Sequence, residues 1–201
     1  MLSIYWPTSA GHGSQLLTVI IAAVLVMSNI RGNMKTYLPV SIFFLVEIMV
    51  VVFILSTVGV LPENIASHFN GAGVPNGFMS KEGYIQFMLL FAVGIPTLTV
   101  GSISFAMSFA SASINIPNKE YWLSVQNRTQ TIQFLKSQVA YLGILIASFI
   151  AYIHWLLLKA NSIQPPQLPN SLFFVGMSVF LLSILWWGLW LVLKFVRVPE
   201  D

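Results

Sequence analysis

The sequence predicts an all-α integral membrane protein, a helical bundle of four to five transmembrane helices with an ordered extracytoplasmic loop. Three observations lead there. First, 57% of the 201 residues are hydrophobic and 7% are charged, whereas soluble domains carry about 25% charged residues. The mean hydropathy of +0.83 fits lipid as the solvent. Second, the apolar residues fall in long continuous runs rather than alternating, which excludes a membrane β-barrel. Third, the polar residues gather in the connections between those runs. The net charge of +3 is too small to imply a nucleic-acid partner. With no cysteine, a disulfide framework, a thiolate metal site and a cysteine nucleophile are all excluded.

The runs are Leu16 to Ile30, Leu38 to Leu61, Tyr84 to Phe109, Leu135 to Leu158 and Leu172 to Leu193. A spanning helix needs about 17–25 residues, which the last four supply. The first run reaches that length only by including Gly13, Ser14 and Gln15. Residues 1–33 therefore read either as an N-terminal extension with a first helix or as sequence ahead of a start at Met34. They contain one basic residue, Arg31, which lies after the apolar run, so they lack the basic n-region of a secretory signal.

The connections set the orientation. Arg31, Lys35, Lys119, Arg128, Lys136, Lys194 and Arg197 fall on one side, and Lys81 and Lys159 on the other. Basic residues concentrate on the cytoplasmic side. The expectation is a multi-pass protein of the cell membrane, its C-terminus cytoplasmic and the loop around His68 extracytoplasmic. The lipid bilayer is then its first partner. Residues 111–134 form the long inner connection, where Tyr121, Trp122, Val125 and Ile132 among polar neighbours suit an interfacial segment. Pro165, Pro166 and Pro169 stiffen the last outer connection. Gly143, Ala147 and Ala151 place small residues along one side of the fourth run, and Ser104, Ser108 and Ala112 along and past the end of the third. Both stripes suit close helix packing.

Few polar residues remain as candidates for chemistry. Glu47 lies inside the second run, where an ionised carboxylate costs several kcal/mol unless it is paired or solvated. It lies about 21 Å from the outer end of that run, and His154 lies only about 7 Å from the outer end of the fourth, so the two do not pair. His154 is instead level with the loop, and the sequence predicts that it shares a polar outer site with His68, completed by Glu63 or Lys81. Neither a GxSxG elbow nor a phosphate-binding GK[ST] opens a helix, and no HExxH pairing occurs. The sequence thus reads against an enzyme rather than for one, and implies neither a cofactor nor a metal.

The loop from Leu61 to Lys81 crowds His, Lys, Glu, Asn, Gly and Pro together. Leu61-Pro62, Ile65, His68-Phe69-Asn70, Gly73, Pro75, Gly77 and Ser80-Lys81 resemble the motif of the domain of unknown function 1648 family. Asn76 stands where that motif usually has Asp. The resemblance assigns residues 34–85 to that domain and leaves residues 86–201 as three further transmembrane helices. The domain is shared with SdpI-like immunity proteins. It implies a bacterial inner-membrane protein of unknown activity that recognises a peptide or amphiphile at its outer face, in immunity or signalling. Ligand contacts then fall to His68, Asn70, Lys81, Glu63 and His154. The alternatives are a membrane enzyme with a histidine-based outer site, or a small proton-coupled transporter using Glu47.

Overall fold

The computed structural model describes residues 34–109 and 114–199, with side chains from residue 37. The expected first helix, within residues 1–33, lies outside the described residues. Four long helices carry the remaining apolar runs: α1 (Met34–Thr57), α2 (Lys81–Phe109), α4 (Arg128–Asn161) and α5 (Asn170–Val196). A single helical turn, α3 (Lys119–Trp122), precedes α4. Each long helix is long and apolar enough to cross a membrane.

One expectation is refined. The chain is mostly helical but not all-α, because the His68 loop is an antiparallel hairpin of β1 (Asn64–Phe69) and β2 (Pro75–Ser80). Pro62 follows the last helical turn, and the chain leaves it extended. Within the expected interfacial segment at 111–134, the described residues hold two helical stretches. Residues 128–134 are the first turns of α4, and the part described as separate is the short α3 with its turns. These residues carry Ile132 and Phe134 with the period of the span that follows, so the helix simply begins earlier.

Helices α1, α2 and α4 build the core. Val50 and Ile54 of α1, and Val58 in the turn just after it, meet Tyr84, Met88 and Ala92 of α2 and Ala147, Ile150 and Leu157 of α4. Deeper along the bundle, Phe43, Val100, Val139 and Ala140 continue the seam. Gly143 sits where it is tightest: a Cβ there would lie 2.5 Å from Val100 Cγ2 and 2.7 Å from the Phe43 ring. The Gly143 stripe is therefore a packing face. Ser108 is not packed in the same way. It is exposed and accepts a 2.7 Å hydrogen bond from Lys136 Nζ.

Helix α5 packs mainly against α4, through stacked Phe149 and Phe180 and a Tyr152 hydroxyl that donates to Leu172 O at 2.6 Å. No residue of its most apolar stretch is buried. At its far end, the Asn118 and Trp122 side chains donate to the Phe195 carbonyl at 3.1 and 2.9 Å. Asn118 also donates to Val196 O at 2.8 Å, so these side chains satisfy carbonyls at the C-terminus of α5.

The hairpin lies over the other end of the bundle. Ile65 and Ala66 are fully buried, and Ile65 joins the core between α1, α2 and α4. Asn161, in the last turn of α4, grips β1 like a neighbouring strand. Its Oδ1 accepts from Ala66 N at 2.9 Å and its Nδ2 donates to Ala66 O at 3.0 Å. The hairpin tip is tied to the α4–α5 connection by Leu168 N to Gly73 O and by Asn170 Nδ2 to Gly71 O, both 2.9 Å.

Candidate ligand-binding site

Most residues of the loop motif have a structural role. Asn70 makes the turn: its Oδ1 accepts from the amides of Ala72 and Val74, both at 3.0 Å. Gly73 has φ +78°, and a Cβ there would lie 2.7 Å from Leu168 O, so both conformation and space demand glycine. Ser80 caps α2, accepting from Gly83 N at 3.1 Å. Lys81 and Glu63 close the base of the hairpin, by a 3.0 Å ion pair and a 3.0 Å bond from Lys81 N to Glu63 O. The pair is largely exposed at Glu63, so it sets register more than it stabilises.

His68 differs. The strand register slips on both sides of it. Ala66 faces Phe78, His68 faces Gly77 and Phe69 faces Pro75, leaving Ser67 and Asn76 as extra residues. Such bulges re-aim side chains. Gly77 makes room for the result, since a Cβ there would lie 3.0 Å from His68 Cβ and 3.2 Å from its Nδ1. The ring's Nδ1 lies 3.1 Å from Ser67 Oγ, and among the described residues Nε2 has no hydrogen-bond partner.

Two cavities open beside this histidine. One, of about 340 Å³, lies between β1, α4 and α5, with Leu156, Leu168, Phe173 and Phe174 in its walls. The other, of about 210 Å³, lies between β2, α2 and α4, with Met79, Phe87, Phe91 and Phe149 in its walls. Ser67, His68, Ile153 and Leu157 line both. Apolar walls with a few polar groups at one edge are the usual composition of a small-molecule site.

His154 is wholly buried behind the second cavity. Its Nε2 lies 2.8 Å from Thr57 Oγ1, and its Nδ1 lies 2.7 Å from the hydroxyl of Tyr84, which lines that cavity. Thr57 also donates its one proton to Phe53 O at 2.6 Å. The hydroxyl must therefore accept from His154 Nε2–H, and Nδ1 then accepts from Tyr84. One imidazole thus joins α1, α2 and α4 with every polar atom satisfied. Among the described residues His154 bonds Thr57 and Tyr84 rather than His68, and Tyr84 and His68 both line the second cavity. Among the described residues, no group of three or more acidic or histidine side chains is placed to hold a metal ion. Glu47 is buried within the span and accepts from Thr97 Oγ1 at 2.8 Å.

The sequence reading picked out His68 and Asn70 but missed Ser67, Thr57, Tyr84, Asn161 and Asn170. Each of these is a common residue at a helix end or strand, and only contacts between distant segments reveal its role.

Four apolar helices capped at one end by a hairpin define a multi-pass membrane bundle. Residues 44–92, comprising most of α1, the hairpin and the first turns of α2, match the family model of Domain of unknown function (DUF1648). Among curated proteins and solved structures, none matches the chain.

Proposed function

We propose that the protein is a multi-pass protein of a bacterial inner membrane that holds an amphiphile under its hairpin, with the hairpin on the outer face. The observation that carries this reading is the position of His68. Its neighbours in the motif fix turns, caps and register, whereas the His68 ring and the Ser67 hydroxyl stand at the edge of two apolar cavities. An apolar body below a hydrogen-bonding end is the ligand complementary to that arrangement. The outward direction rests on the basic residues: Lys35, Lys119, Arg128, Lys136, Lys194 and Arg197 lie toward the end of the bundle opposite the hairpin, and Lys81 and Lys159 on the hairpin side.

A photoreactive single-chain lysophospholipid, with its diazirine at the chain end, tests the reading on detergent-purified protein. Labelling should concentrate on Phe173, Phe174, Phe87 and Phe91 and fall when unlabelled lysophospholipid competes. Even labelling of exposed α5 residues such as Leu182 and Leu185, indifferent to competition, would mark a non-specific lipid coat and refute the site.

A further inference from the structure

The two cavities share more than a neighbour. Ile153 and Leu157 stand one helical turn apart on α4 and line both, so they form a ridge with a groove on each side. Ser67 and His68 of β1 also line both, which places polar atoms where the grooves meet. From that junction the second groove follows α2 and α4 inward from Leu157 to Phe149, a distance of about 12 Å along the helix. The first stays under the hairpin, between α4 and the first turn of α5.

We propose that the ligand is a two-chain amphiphile that straddles the Ile153–Leu157 ridge, one chain in each groove, with its hydrogen-bonding headgroup linkage against His68 and Ser67. This rests on the amphiphile reading above and specifies it further. Three features distinguish this occupant from a single-chain one. The site forks, the polar group lies at the fork rather than at one end, and both arms are apolar along helices that themselves span the lipid. A Ser67 hydroxyl that donates to His68 Nδ1 leaves the ring's Nε2–H to donate to an ester or phosphate oxygen. The bulge at Ser67 has a purpose on this account: it sets two successive polar residues of β1 beside the ridge, where a regular strand would send them to opposite faces. Joining two chains through one headgroup makes seating of the second chain intramolecular, which raises affinity without any new contact.

Native mass spectrometry of the full chain, released from detergent, can count the bound molecules. The probes are a lysophospholipid and the diacyl phospholipid with the same headgroup and chain length. The expected result is two lysophospholipids or one diacyl lipid per protein, with the diacyl lipid at least about tenfold tighter. Leu168→Trp should fill the first groove and Met79→Trp the second. Either variant should take one lysophospholipid and lose the preference for the diacyl lipid. The unaltered protein decides the matter even if a variant fails to fold. Saturation by one lysophospholipid, with no advantage for the diacyl lipid, would overturn the forked site and leave the amphiphile site standing. Failure of either lipid to bind in a displaceable way would remove the amphiphile reading itself, and this inference with it.

Discussion

His154 shows how far a single residue can be read from sequence. Its depth and cost in an apolar run were legible, and they correctly demanded a partner. The partner was expected in the loop, because the loop is the nearest polar sequence. The structure supplies Thr57 and Tyr84 instead, from the last turn of α1 and the first turn of α2. Neither announces itself, since Thr at the end of an apolar run usually bonds only its own helix. The geometry makes a definite energetic prediction. His154→Ala should destabilise the bundle by about 1–3 kcal/mol, through lost bonds and an opened cavity. Tyr84→Phe should cost less, and the two changes should be non-additive by about 1 kcal/mol, since they break one shared bond. His68→Ala should add to either independently. Unfolding in mixed micelles with single and double variants measures this. Additive behaviour of His154 and Tyr84 would contradict the shared bond.

At the scale of elements, the four long helices follow from the length of each apolar run, and Gly143 was readable as a contact point because small residues recur every fourth position. The hairpin was not readable in the same way. Its strands have six residues each, and both bulges break the alternation that would identify them. The glycines and prolines announced turns but not the pairing between them. What holds the hairpin down comes from a segment 95 residues away, the Asn161 amide on Ala66. Asn161→Ala leaves the Ala66 N–H and C=O buried without partners, at about 2 kcal/mol or more. Hydrogen exchange at Ala66 should then quicken by roughly thirtyfold while the amides of mid-α4 hold their rates. Unchanged exchange at Ala66 would mean that the hairpin is held by its core contacts through Ile65 alone.

For the whole molecule, three helices make a packed unit and the fourth, α5, borders it through α4. The first groove lies where the hairpin, α4 and the first turn of α5 meet. The candidate site was half legible. The motif pointed to His68, but cavities are formed by segments that converge only in three dimensions, and no spacing in the chain encodes them. The central claim is that His68 and Ser67 border an outward-facing amphiphile site. The chain has no cysteine, so a single Ser67→Cys substitution is a unique label. In intact cells it should react with a membrane-impermeant thiol reagent, while a cysteine at Pro199 should react only after lysis. In proteoliposomes of non-binding lipid, added diacyl phospholipid should slow the Ser67→Cys reaction several-fold. Labelling at position 199 but not at 67 in intact cells, or a Ser67→Cys rate indifferent to the lipid, would contradict the account.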